Sequence, residues 1–323
     1  METDDFLTRS RVLIVVGKGG VGKTVVAGAL ARAGARSGLR VAVLEVDRKA
    51  GLAASFGLEG PLTYSERVLV AGGPGEGDVI GRSITPDEAL LEYLEDHGMR
   101  RVSVRLLKTG AVEVAATAAP GIKDLLILGK VKQLAARSDL DLVILDAPAA
   151  GHAVSVLRSP QGLADSVSGG PVASQAAEVI EMLSDPARCQ VMLVTLAEET
   201  PMNETIETAF DLEEEIGVHL GPVVVNGLAR PAIGLDADPS SAASELGRLL
   251  EPDLSAALSA AGRHTAELRR RQEAQLDRLE RLLPLPQLRL PRLLGTEMTP
   301  ASMDTLADHL DESLAGLPAE LLA

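Results

Sequence analysis

Short apolar runs recur along the chain: VLIVV at 12–16, RVAVLEV at 40–46, LVILDA at 142–147, VMLVTL at 191–196, PVVVNGL at 222–228 and QLRL at 287–290. Helical stretches lie between most of them. Runs that are apolar throughout, rather than alternating with polar residues, suit strands of a parallel sheet covered on both faces. The pattern predicts a doubly wound, mostly parallel α/β fold.

The intervening segments carry their own punctuation. TVVAGALARAGARSG is Ala-rich and stops at Gly38, while TPDEALLEYLEDHG opens with Thr85 as cap, Pro86 in the first turn and Glu88 as the capping-box partner, then closes at Gly98. Between 263 and 283, Leu268, Leu276, Leu279 and Leu283 fall at helical spacing among charges of both signs, which reads as a solvated helix held by one leucine stripe. AGGPGEGD at 71–78 and GLDADPSSAAS at 234–244 read as surface loops. No internal repeat or composition break divides the chain, so residues 1–323 are expected to form one domain, with helical insertions at about 86–135 and 160–185.

Composition narrows the function classes. With 46% hydrophobic residues over 323 positions there is material for a sizeable core, and the formal charge of -15 opposes a sequence-independent grip on nucleic acid. The one cysteine, Cys189, supports neither a disulfide framework nor a cysteine zinc site. METDDFLTRS is acidic where a secretion signal is basic, and no apolar run reaches the ~18 residues of a membrane span. A cytoplasmic protein without a direct membrane anchor is expected.

The chemistry concentrates in VVGKGGVGKT at 15–24, which satisfies two motifs. Gly17, Gly19 and Gly22 fit the dinucleotide pattern G-x-G-x-x-G; Gly17, Gly22, Lys23 and Thr24 fit the mononucleotide P-loop G-x-x-x-x-G-K-[ST]. Lys23 and Thr24 decide between them. A P-loop needs an ammonium for the β and γ oxygens and a hydroxyl for Mg²⁺, whereas a dinucleotide site needs neither, even though Glu45 or Asp47 could imitate its ribose-binding acid. Asp146, leaving the run LVILDA, is placed to serve the metal side. Lys18, flanked by glycines, adds a second cation to the phosphate cradle.

GKGGVGKT with both Lys18 and Lys23 resembles the deviant Walker A motif of the MinD, ParA, nitrogenase iron protein and ArsA group of dimeric P-loop ATPases. DAPAAGH, Asp146 to His152, narrows the resemblance to the switch II of the ArsA branch; PGIKD at 120–124, VTLAEETPMNET at 194–205 and VVVNGL at 223–228 extend it. The resemblance implies that Gly17, Lys18, Gly19, Gly20, Val21, Gly22, Lys23 and Thr24 surround the phosphates of ATP, and that Thr24 and Asp146 serve Mg²⁺. It implies that Lys18 reaches the partner's nucleotide and that Asp47 orients the attacking water. Asp146, Gly151 and His152 would form switch II, Asn226 would read the adenine edge, and Pro291 would flank the base.

The departures are informative. Switch I of the family reads D-P-A-H, and here it is Asp47-Arg48-Lys49-Ala50; AAGRHT at 260–265 stands where the GET-pathway ATPase of the ArsA branch, which targets tail-anchored membrane proteins, carries a zinc-binding C-x-x-C, so no zinc is expected. The expected function is an ATP-hydrolysing switch, a homodimer or a heterodimer with a related ATPase, that couples nucleotide state to engagement of a client protein. The alternatives are a MinD/ParA-like positioning ATPase, opposed by the absence of Lys and Arg from Leu293 onward, and a regulatory ATP-binding module with little turnover.

Overall fold

The computed structural model describes residues 6–46, 51–109, 112, 121–231, 234–295 and 297–317. In chain order these form β1 (Val12–Gly17), α1 (Lys23–Arg36), β2 (Val41–Val46), α2 (Gly51–Ser55), β3 (Arg67–Val70), β4 (Val79–Ile84), α3 (Pro86–Asp96), α4 (Arg100–Thr109) and α5 (Ile122–Ala135). There follow β5 (Leu142–Ala149), α6 (Ala150–Ser166), α7 (Pro171–Ser184), β6 (Cys189–Leu196), α8 (Glu199–Phe210) with a π-helical continuation Asp211–Ile216, and β7 (Val223–Leu228). The chain finishes with α9 (Pro239–Glu245), α10 (Pro252–Leu282), β8 (Gln287–Pro291) and α11 (Pro300–Ala315).

The strands make one eight-stranded sheet in the order β3-β4-β2-β5-β1-β6-β7-β8. All neighbours run parallel except β3 against β4. Alternate side chains of each strand go to opposite faces. Val12, Ile14 and Val16 of β1 join Leu128, Val156, Val179 and Leu279 in one core, while Leu13 and Val15 join Leu30, Leu306 and Leu310 in the other. Helices α1 and α11 therefore cover one face, and α5, α6, α7, α8 and the inner half of α10 cover the other.

The six apolar runs are the six central and right-hand strands. Two further strands, β3 and β4, extend the opposite edge. Their sequences are short and interrupted: Gly81 faces Leu62 and Leu69, where a Cβ would come within 2.8 Å of Leu69 Cδ1, and Arg82 is buried over the Tyr64 ring at 4.4 Å. The glycine-rich stretch 71–78 is the connection between them, as expected. The stretch 234–244 is not wholly loop. Asp238 accepts from the Ser241 amide at 2.8 Å and Pro239 opens the turn, which starts α9 within it.

Both predicted helix boundaries in the first half hold. Gly38 takes φ +88 beyond α1, and the Thr85 hydroxyl accepts from the Glu88 amide at 3.4 Å while donating to the Glu88 carboxylate at 2.6 Å. The leucine-stripe helix is longer than its stripe. α10 has 31 residues, about 46 Å at 1.5 Å per residue, yet only Gln272, Leu276 and Leu279 are buried along it. Leu254 and Leu258 in its outer half are 50% and 45% exposed.

This asymmetry gives a direct stability test. Leu279→Ala should cost about 2–5 kcal/mol, as for a fully buried leucine, while Leu258→Ala should stay within about 0.5 kcal/mol. Urea unfolding midpoints of the two variants check the difference; equal midpoints would mean that the inner half of α10 does not anchor the core.

Candidate functional site

The glycine loop joins the C-terminal end of β1 to α1, and each of its glycines that is packed is packed against backbone or amide. A Cβ at Gly17 would lie 2.2 Å from the Val194 carbonyl oxygen of β6, and one at Gly22, which has φ +94, would lie 2.3 Å from Asn226 Nδ2. Larger residues at either position would displace the loop. A Cβ on Gly19 or Gly20 would meet nothing within 4 Å, so this part of the loop faces open space. Helix α1 begins with no acidic residue in its first turn and no side-chain cap, which leaves its positive end to the loop.

Register brings the other groups to this edge. Asp146 pairs with Val15 of β1 on one side and Glu45 of β2 on the other, and its carboxyl accepts from the Thr24 hydroxyl at 2.6 Å. Lys23 folds back across the loop and donates to the Lys18 carbonyl at 3.1 Å. The Lys18 ammonium is ion-paired with Glu204 of the same chain, on α8. Asn226, level with Leu196 at the end of β7, donates to the Val21 carbonyl at 2.9 Å and accepts from the Gly227 amide at 2.9 Å.

Gly151 and His152 occupy the exposed first turn of α6, directly after β5. Pro291 ends β8 opposite Leu228, on the wall of a groove of about 320 Å³ that Arg230, Gln272, Leu276 and Leu290 also line. A larger cavity, about 520 Å³, lies between α3, α5 and α7 and touches none of the loop residues. Asp47, Arg48, Lys49, Ala50 and Pro120 lie outside the described residues.

The site therefore assembles Lys18, Lys23, Thr24, Asp146 and Asn226 from β1, α1, β5 and β7, with Gly151 and His152 following Asp146. Two contributors have no sequence reading of their own. Glu204 sits within VTLAEETPMNET without a distinguishing spacing, whereas Gln272 does leave a trace: it interrupts the stripe between Leu268 and Leu276 at four-residue steps. Chemically, the arrangement offers a glycine loop facing open space, two ammonium groups, a hydroxyl beside a carboxyl, and a side-chain amide two residues before Leu228, where the groove begins. These groups complement a phosphate chain with a metal and an attached apolar ring.

Asp124, in the first turn of α5, couples this region to its surroundings. Burial holds its carboxyl above the ordinary aspartate range, and the charges of His152 and Lys123 oppose that rise. A folded-state value above the unfolded one means that stability present at low pH is lost as pH rises through the raised value. Asp124→Asn should therefore raise the melting temperature at about pH 7 and change it little at about pH 3, below the unfolded carboxylate range. A shift of equal size at both values would remove burial of the charge as the cause.

Residues 10–168 match the family described as anion-transporting ATPase. The ATPase BagA of Mycobacterium tuberculosis is 33% identical over 307 residues, covering 88% of this chain and 88% of that protein. The arsenical pump-driving ATPase of Acidiphilium multivorum is 26% identical, covering 67% of this chain and 39% of the pump ATPase, and that of Escherichia coli is 25% identical over the same shares. With a P-loop sequence following β1, an aspartate in the second half of β5 and a relative matched across most of both chains, the protein belongs to the ArsA-type ATPase family.

Proposed function

We propose that the protein is a Mg²⁺-dependent ATPase that closes as a dimer around nucleotide and uses that closure to engage a partner protein. The observation that carries the reading is the pairing of Thr24 with Asp146 at 2.6 Å beneath a loop whose Gly19 and Gly20 face open space. A hydroxyl and a carboxyl oxygen are hard donors of the kind Mg²⁺ takes while keeping part of its water shell. When bound, the ion neutralises charge on the phosphate oxygens. Gly17 to Thr24 would hold the triphosphate through backbone amides and the Lys23 ammonium.

Asn226 and Pro291 would address the base. The Asn226 amide keeps one N–H and one lone pair beyond its bonds to Val21 and Gly227, enough to read an adenine edge. Gly151 and His152 lie exposed in the first turn of α6, which begins four residues beyond Asp146, where a change at the metal side would reach them along the chain. The partner would meet the helical layers at 86–135 and 160–185, within one ATPase unit spanning the chain. Val102, Val104 and Leu107 on α4 are exposed apolar residues in the first of them. No helix among the described residues is long and apolar enough to cross a membrane.

Lys18 would act across the dimer. In the single chain its partner is Glu204, and both side chains are more than a third exposed, at 35% and 40%. An ion pair this exposed is worth about 0–1 kcal/mol, so exchange for a phosphate charge on a second subunit is energetically cheap.

Two experiments test the reading. Asp47→Asn should keep ATP binding in a thermal-shift titration while single-turnover hydrolysis falls by about 10² to 10⁴, the range for a positioned base. Parental hydrolysis would show that Asp47 does not orient the water. Lys18→Ala and Asp47→Asn should each be inactive alone, and mixing them with verified chain exchange should restore roughly a quarter of parental activity, because half the dimers then carry one complete site. No recovery would mean that Lys18 acts within its own chain, that both sites must fire together, or that the active assembly pairs this chain with a different protein.

A further inference from the structure

We infer that Gln272, on the long helix α10, is the residue that positions the base-side wall of the nucleotide site and thereby sets which base is accepted. The inference rests on the proposed ATP reading and goes beyond it. Gln272 occupies a place in the leucine stripe where an apolar side chain would extend the packing begun by Leu276 and Leu279, and it is only 9% exposed. A carboxamide buried there lowers stability unless its polar atoms are bonded. Both are. Oε1 accepts from the Ala229 amide at 2.9 Å, and Nε2 donates to the Gly227 carbonyl at 3.4 Å.

Those two backbone groups belong to the segment that leaves β7. The ladder between β7 and β8 is irregular between Val225 and Leu228, and Gly227 turns the chain at φ +71. Beyond that turn the Arg292 amide holds the Leu228 carbonyl at 2.7 Å, and Gln272 holds the residues on either side of it. The bonds continue toward the phosphate end: Asn226 accepts from the Gly227 amide at 2.9 Å and donates to the Val21 carbonyl of the loop at 2.9 Å. One brace thus runs from α10 through the wall of the groove to the P-loop.

The groove on this wall is lined by Leu228, Leu276, Leu290 and Pro291, with Gln272 at its side and Arg230, Arg269, Glu273, Arg289 and His309 around them; apolar surface beside polar groups suits a planar heteroaromatic ring. Selectivity between purines depends on donors and acceptors held at fixed positions, and a segment released from Gln272 presents them with less order. Gln272 acts through the backbone of residues 227 to 229, so its removal should act on the base and spare the triphosphate, which the Asn226 latch and the loop continue to hold.

The test compares Mg²⁺ complexes of ATP, GTP and inorganic tripolyphosphate by titration calorimetry on the full chain. Gln272→Leu completes the stripe, and Gln272→Met, of matching length, is measured beside it so that poor packing of either side chain does not decide the result. Both should bind ATP about tenfold more weakly, the size of one lost well-placed hydrogen bond, with tripolyphosphate affinity within about twofold of the parent. The ATP-to-GTP preference should fall toward one. Gln272→Glu, which keeps the acceptor for the Ala229 amide, should restore most of that preference. A parental ATP-to-GTP ratio in the leucine and methionine variants, or equal weakening of ATP and tripolyphosphate, overturns the proposal. Parental protein that binds tripolyphosphate but prefers neither ATP nor GTP also overturns it. Parental protein that binds none of the three removes the ATP reading itself.

Discussion

The hydrogen bond from Thr24 to Asp146 depends on β5 lying beside β1, and the candidate site depends on that adjacency. Thr24 is in the first turn of α1 and Asp146 near the end of β5; only parallel pairing, with Val15 level with Asp146, brings the hydroxyl and the carboxyl to one point. Parallel pairing with β6 on the other flank places Gly17 against Val194, so the loop is held from β5 and β6 at once. A central strand bounded by two parallel neighbours leaves its C-terminal loop at the crevice where open α/β sheets bind ligands.

Away from the loop, a second polar arrangement stiffens the α3–α5 layer. Lys130 is buried and bonded to Glu92 and Gln133, both at 2.6 Å; Tyr64 donates to the same Glu92, and Arg82 stacks on the Tyr64 ring. Burial pulls the Lys130 ammonium below its ordinary range, with Glu92 opposing the change. Burial alone would raise Glu92, and the bonds from Lys130 and Tyr64 together hold it below its ordinary value. Burial and the neighbouring Glu92 push the Tyr64 hydroxyl up, so it stays a donor. The network ties β4 and the segment before β3 to two helices of the layer proposed to meet a partner.

Much of this was legible in the chain because parallel strands buried on both faces are apolar without interruption. The central runs are of that kind; QLRL, at the sheet edge, alternates instead, the two helices are marked by their caps, and the glycines and Lys23-Thr24 of the P-loop declare their chemistry by type and spacing. β3 and β4 were not, because Gly81, Arg82 and Ser83 break the apolar run and the strand is stabilised by contacts with Tyr64, Leu62 and Leu69 instead. α9 was hidden because Ser, Asp and Pro signal loops and helix starts alike. Within the site, Glu204 acquires its relation to Lys18 only through the packing of α8 against β6, and the hold of Asn226 on Val21 requires the register of β7. Gln272 shows the intermediate case: a gap in a periodic stripe marks a position as unusual without saying which backbone it serves.

The strand order also governs how this chain is made. β1 leaves the ribosome well before its two neighbours in the sheet, which begin only at Leu142 and Cys189. Until β6 has been synthesised, the apolar strand Val12–Gly17 has a bare edge and the glycine loop has no Val194 carbonyl to rest on. A ribosome adding about 5–20 residues per second leaves that edge uncovered for roughly ten seconds or more. The nascent protein thus passes through an interval in which an apolar central strand is finished and its phosphate loop is not, and any chaperone assistance it draws on is needed during that interval.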